Sequence, residues 1–339
     1  MRIMKVALVS DYPVREIGGV ESYCFHLIKE IKSRDDSIEF YPINISNIRH
    51  RFIKKLNIYI YSKKELSDKI SECDLVHING LASYPSMQTI DIARKLHKPI
   101  ICTSHFHPSY ALSRPFLGDM FYRLIVARRL KHIDHLVAIN KEEYDLLSGC
   151  VKKCSLLPHW INTEDFEKQE INPKRENSVL FVGKVFKKHK RADFMNYVPE
   201  STMCWYVSSA KMAEEKPNFI QYKDLSNEDL AALYSNAKCL MVPSKYEAFS
   251  FVALEALLKG TPVLLSDRVR IADFLEGNRL MSIFEYDNVE DFKCKLAAIL
   301  DSNINLEERE AAVESVRNTF NPDKIIGTYL DLYHSYVGK

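Results

Sequence analysis

Short, uninterrupted apolar runs alternate along this chain with stretches in which apolar residues recur every three or four positions. Runs at 5–10, 38–45, 74–78, 99–102 and 133–140 predict a first series of strands. A second series follows at 178–184, 203–207, 218–222, 239–242, 263–267 and 283–284. Between them, Tyr23, Leu27, Ile28 and Ile31 keep helical spacing, as do residues up to 96, from Ser226, and over 251–259. Three further helices are predicted over 288–300, 306–320 and 325–336, the last set off by Asn321-Pro322. Strands of four to eight apolar residues alternating with helices imply parallel sheets covered on both faces. Because the alternation occurs twice, the fold class is α/β with two doubly wound, Rossmann-like domains. The polar stretch 164–177, with Pro173, separates the two series. The expected organisation is a first domain over 1–165, a linker over 166–177, a second domain over 178–320 and a final helix within 321–339.

Composition narrows the classes. A chain of 339 residues can hold two ordinary cores, and 46% apolar with 27% charged residues is usual for a soluble globular protein. A net charge of +2 gives no general attraction to nucleic acid, so no nucleic-acid partner is expected. The eight cysteines are scattered without a C-x2-C pair, and Cys150 and Cys154 lack histidines at zinc spacing. Reduced thiols in a cytoplasmic protein are the expectation. No apolar run reaches the ~18 residues of a membrane span, and the opening MRIMKVALVS reads as a strand and not as a leader.

Two basic stretches, 49–64 and 116–131, carry interleaved apolar residues. Each is either a solvated basic helix or loop, or a surface that attracts anionic lipid headgroups at roughly 1 kcal/mol per basic residue.

The most informative stretch is 243–263, PSKYEAFSFVALEALLKGTPV. An apolar strand leads through a turn into an apolar helix that starts after Ser250, its expected N-cap, and stops at Gly260. The free N–H groups of such a helix face the carboxyl edge of a parallel sheet, where diphosphates bind. Glu247 in the turn and Glu255 in the second helical turn would repel phosphate there and are better suited to accept hydrogen bonds from sugar hydroxyls. The Gly18-Gly19 turn after the first strand is either an ordinary tight turn or a place where phosphates approach bare backbone.

Pro243-Ser244, Tyr246-Glu247, Phe249-Ser250, Glu255-Ala256, Gly260 and Pro262-Val263 together resemble the E-x7-E signature of glycosyltransferase family 4, retaining enzymes of the GT-B fold. Three other segments are similar to that family. They are Gly18-Gly19, the run from Lys98 to His105, and Gly183-Lys184 with the cluster Lys187-Lys188-His189-Lys190-Arg191. The resemblance implies two Rossmann-like domains facing a central cleft, with the final helix crossing back to the first domain. It implies retaining transfer of a sugar from a nucleoside-diphosphate sugar, UDP or GDP, to an acceptor hydroxyl, including a lipid-linked or surface glycan. Neither metal nor other cofactor is expected.

By the same resemblance, Lys184 and Lys190 clamp the diphosphate, with His189 and Arg191 as alternatives to Lys190. Glu247 holds the transferred sugar and Glu255 the ribose. Ala248, Phe249, Ser250 and Phe251 line the donor, and the loop at Leu225 reads the base. His105 contacts the transferred sugar, with His107 a second candidate. Lys184 stands where the family has arginine, Ser208-Ser209-Ala210 where it has Gly-x-Gly, and Trp160 and Asn162 replace a glycine and an aspartate. Those departures keep open a degenerate, non-catalytic nucleotide-sugar binder, or an epimerase or hydrolase on the same architecture. The expected location is cytoplasmic, either free or peripheral on the inner face of the membrane.

Overall fold

The computed structural model describes residues 2–14, 20–54, 58–81, 83–105, 126–160, 171–214 and 216–337. They pack as two compact units, Met1–His159 with Asp323–Lys339, and Trp160–Pro322. The first unit holds β1 Met4–Val9, α1 Val20–Arg34, β2 Ile38–Ile43, β3 His50–Ile53, β4 Ile58–Tyr61 and α2 Lys63–Ser71. It continues through β5 Leu75–Asn79, α3 Tyr84–Lys95, β6 Ile100–Thr103, α4 Ala127–Leu130, β7 His135–Ala138, α5 Lys141–Leu147 and β8 Cys154–Leu156. The second holds β9 Glu176–Val182, β10 Met203–Val207, β11 Phe219–Tyr222, α6 Asn227–Asn236, β12 Ala237–Val242 and α7 Phe251–Leu258. After these come β13 Val263–Ser266, β14 Met281–Phe284, α8 Val289–Asp301 and α9 Leu306–Thr319, and the chain returns to the first unit as α10 Pro322–Tyr336.

Each unit is built on a six-stranded, all-parallel sheet. The first runs β2-β1-β5-β6-β7-β8, the second β11-β10-β9-β12-β13-β14. The central strands are apolar at nearly every position because helices cover both faces: β5 and β13 are buried throughout. The strand order reverses between β1 and β5 in the first sheet and between β9 and β12 in the second. In open α/β sheets ligands collect at such switch points, outside the carboxyl ends of the strands.

One expectation fails in the first unit. Residues 49–64 do not form a basic helix or loop: β3 and β4 pair as an antiparallel ribbon with Phe52 opposite Tyr59, and α2 begins only at Lys63. Ile58-Tyr59-Ile60-Tyr61 is a β-branched and aromatic run, and strand propensity outweighs the scattered lysines. β8 is an added strand at the edge of this sheet that the pattern does not disclose. In the second unit, β9 starts inside the polar stretch that was expected as linker. Arg175, just before it, donates to the carbonyls of Tyr234, Ala237 and Lys259 and to Thr261 Oγ1.

Helix α10 is tied into the first unit by buried hydroxyl and imidazole groups. His77 on β5 bonds Tyr333 Oη through Nδ1 at 2.6 Å and Thr103 Oγ1 through Nε2 at 2.9 Å. Tyr23 of α1 donates to Tyr329 Oη at 2.7 Å. Burial drives His77 down to about 3, so its ring is neutral and each nitrogen takes the role its partner requires.

Candidate functional site

The carboxyl edge of the second sheet gathers most of the side chains singled out in the sequence. Gly183 follows β9 with a φ of +156°, and Lys184 comes next, exposed. One turn of 3-10 helix, Lys188–Lys190, brings Lys190 toward the end of β12. There Lys190 Nζ donates to Glu247 Oε1 at 2.7 Å, and Ser244 Oγ donates to the same oxygen at 2.6 Å. The Glu247 side chain is only 9% exposed and Lys190 28%, so the pair is largely shielded from water.

Backbone bonds fix that geometry. Glu247 N donates to Arg268 O and its carbonyl accepts from Arg270 N, both at 3.0 Å, a single parallel bridge to the loop after β13. Lys245 N donates to His189 O at 2.7 Å, which ties the lysine-bearing loop to the glutamate-bearing turn. His189 stacks on Tyr246, with centroids 5.5 Å apart and planes 19° apart. Arg191 points elsewhere, to Asp193, Asp287 and Tyr286. Of the four groups considered for the clamp, Lys190 is the one that bonds Glu247. The side chain of Lys184 makes no bond among the described residues.

Glu255 lies on the first two turns of α7. Its carboxylate accepts from Tyr234 Oη of α6 at 2.7 Å. Burial raises its carboxyl from 4.5 to about 7, partly offset by that hydrogen bond. Ser250 occupies the N-cap position of α7, as expected, but its hydroxyl does not cap the helix. Its Oγ is buried and without a hydrogen-bond partner among the described residues. Its hydroxyl is an unused donor and acceptor beside the first turn of α7. Phe249 and Phe251 pack edge to face with each other, and Phe249 against Phe320. They build the wall behind the turn, with Ala248 between Glu247 and Phe249. Leu225 is half-buried beside Asp224, whose φ is +49°.

The carboxyl edge of the first sheet has its own set. His105 follows β6 with φ +43° and is stacked on His159 at 5.1 Å, with Tyr23 edge-on at 4.8 Å. Burial lowers its ring to about 3, so it is neutral. Its Nε2, and both side-chain polar atoms of Asn79 at the end of β5, are buried without partners among the described residues. Asp11, after β1, is pushed up by burial, with a hydrogen bond from Ser83 opposing. Gly18, Gly19 and His107 lie outside the described residues.

Sequence reasoning missed Ser244, Tyr234, His159 and Tyr23 as members of these clusters. Ser244 had a signal, since it precedes the glutamate turn within the quoted string. The other three are joined to the sites only by folding, from positions 21 to 82 residues away.

Residues 205–319 match the sequence model of the glycosyl transferases group 1 family. Among curated proteins, a 41.2 kDa protein in the cps region of Klebsiella pneumoniae is 27% identical over 198 residues, 55% of this chain and 50% of its own length. The chain thus spans about half of that relative. The O-antigen chain mannosyltransferase RfbU of Salmonella typhimurium is 24% identical over 259 residues, 66% of this chain and 69% of its own. Among solved structures, Anabaena HepE in complex with UDP superposes with a TM-score of 0.75 at 11% identity, over 98% of this chain and 100% of that one. By sequence over 205–319 and by fold over nearly its whole length, the protein is similar to glycosyltransferases of the GT-B type.

Proposed function

We propose that the protein is a retaining family 4 glycosyltransferase that moves a sugar from a nucleoside-diphosphate sugar to an acceptor hydroxyl. The observation that carries this reading is the Lys190–Glu247–Ser244 cluster at the switch point of the second sheet, with Glu255 one helix turn behind it. Lys184 and Lys190 supply positive charge for the leaving diphosphate, together with the free N–H groups of α7. Glu247 accepts from hydroxyls of the transferred sugar, and Glu255 from those of the ribose. A carboxylate held at 2.7 Å by a lysine is already oriented, so little ordering is left for the donor to impose. The roles need no metal ion. On the first unit, the unpartnered Asn79 and His105 Nε2 are suited to carbohydrate hydroxyls.

Relatives named for mannose transfer into O-antigen and polyprenol-linked glycans support a hexose donor and a lipid-linked or surface-glycan acceptor. UDP bound to Anabaena HepE keeps uridine beside guanosine as the base. A thermal-shift screen against UDP, GDP and ADP and their sugars tests the reading. One diphosphate sugar should raise the apparent Tm saturably, by mass action. No shift with any of them would overturn it.

Peripheral membrane contact belongs to the same reading. The β3–β4 ribbon exposes Arg51, Phe52 and Lys54, with Lys63 and Lys64 exposed just beyond it. Phe52 and the lysines fit an anionic interface at roughly 1 kcal/mol per cation. No helix among the described residues is long and apolar enough to cross a membrane. The protein should sediment with phosphatidylglycerol vesicles at low salt and be released at 0.5 M salt, on the order of a 3–5 Å Debye length. Failure to sediment at low salt would sink this contact.

A further inference from the structure

At the opposite, amino edge of the second sheet lies a cationic hollow that sugar transfer does not use. Arg175 precedes β9, Lys238 is the second residue of β12, and Arg309 is on α9. With Pro262, Ser302 and Asn303 they line a cavity of about 200 Å³. β12 spans six residues, so the hollow is roughly 20 Å from the Glu247 turn.

Several other arginines pair with carboxylates, Arg129 with Asp91, Arg191 with Asp193 and Arg34 with Glu30. Arg175 and Arg309 have no carboxylate partner among the described residues. Arg309 is only 7% exposed, and its guanidinium bonds the carbonyls of Gly260 and Ile304. Gly260, with φ +68°, leaves room for this approach, since a Cβ there would fall 2.9 Å from Arg309 Cγ. Together the two arginines close the carboxyl ends of α6 and α7, a favourable place for cations. Helix capping accounts for their tips, but not for the rest. Arg175 Nε is buried with no acceptor among the described residues, and Lys238 adds a third positive charge beside two that already repel. Burial, and then the charge of Arg309, pulls Arg175 down from its ordinary value. Three cations with no counter-ion among the described residues, around a polar cavity, make the site favourable for an anion.

We propose that this hollow binds a small phosphate-type oxyanion, either free or as the monoester of a small metabolite. The volume is below the ~300 Å³ at which pockets for drug-sized ligands begin, which favours an ion-sized guest. An oxyanion would pair with Lys238 Nζ in the field of the two arginines, and the exposed Ser302 and Asn303 leave an entry path. Because the same arginines hold Lys259 and Gly260 at the end of α7, occupancy would stiffen the helix that carries Glu255.

The test titrates inorganic phosphate into a Lys184→Ala/Lys190→Ala background, which removes the proposed diphosphate clamp as a competing site. Sodium chloride at matched ionic strength is the control. Phosphate should raise the apparent Tm saturably beyond chloride, and adding Lys238→Met should weaken the apparent affinity about tenfold, the scale of one lost charge-assisted hydrogen bond. Lys238 makes none of the helix-end bonds, so that variant folds. A phosphate response equal to that of chloride, or one unchanged by Lys238→Met, would overturn the site. Glycerol 3-phosphate distinguishes the sources: binding tighter than phosphate assigns a monoester, and weaker binding assigns the free ion.

Discussion

Glu247→Ala is expected to lower kcat for sugar transfer by about 10²–10³-fold, the usual cost of removing a preorganised electrostatic contact. Two losses add in this variant. The transferred sugar loses its acceptor, and Lys190 loses the oxygen that fixes its Nζ at 2.7 Å. The fold should survive, because Glu247 lies in a turn whose backbone bonds to Arg268 and Arg270 do not involve the side chain. Near-unchanged urea midpoints for wild type and variant would confirm that the loss is local. Lys190→Ala provides the companion measurement. If the two groups act as one unit, the double variant will be hardly worse than Glu247→Ala alone. Full transfer activity in Glu247→Ala would remove this cluster from the reaction.

How much of this was legible beforehand follows from the range of each interaction. The parallel strands were readable because burial on both faces leaves uninterrupted apolar runs, and Met203–Val207 falls on its expected bounds. The turn carrying Glu247 was readable because the residues that shape it are contiguous. Its partner Lys190 sits 57 positions away, and only the 3-10 turn at Lys188–Lys190 decides which of three neighbouring cations arrives. Ser250 takes the N-cap position as its residue type suggests, but residue type specifies only a preference and its hydroxyl makes no cap bond. The β3–β4 ribbon was misread because charge was weighed above the alternating Ile-Tyr-Ile-Tyr run. Buried polar groups such as Asn79, or Arg175 and Arg309, which bond carbonyls but no carboxylate among the described residues, leave no local pattern at all. They show themselves only when every partner can be counted.

Glu255→Gln should make the protein more stable and a poorer enzyme. Burial raises the Glu255 carboxyl from 4.5 to about 7, so the folded chain keeps a proton that the unfolded chain releases near 4.5. Below the unfolded value both states hold the proton, and the group costs nothing. As pH rises from about 4.5 to about 7, the unfolded state alone ionises and stability falls; above about 7 the whole cost is present. That span corresponds to about 3 kcal/mol, and because Glu255 as a residue is only half-buried, solvent screening cuts it to about 2 kcal/mol. Glutamine still accepts from Tyr234 but never ionises. Urea unfolding should therefore find Glu255→Gln equal to wild type at pH 4 and about 2 kcal/mol more stable at pH 8. The opposite trend is expected for the donor. Ribose hydroxyls bind the ionised carboxylate best, so wild-type KM falls as pH rises through 7, while the KM of Glu255→Gln stays flat and about tenfold higher at pH 8. A stability gain that is the same at both pH values would show that Glu255 is not the buried titrating group, and an unchanged KM would take it out of the donor's contacts.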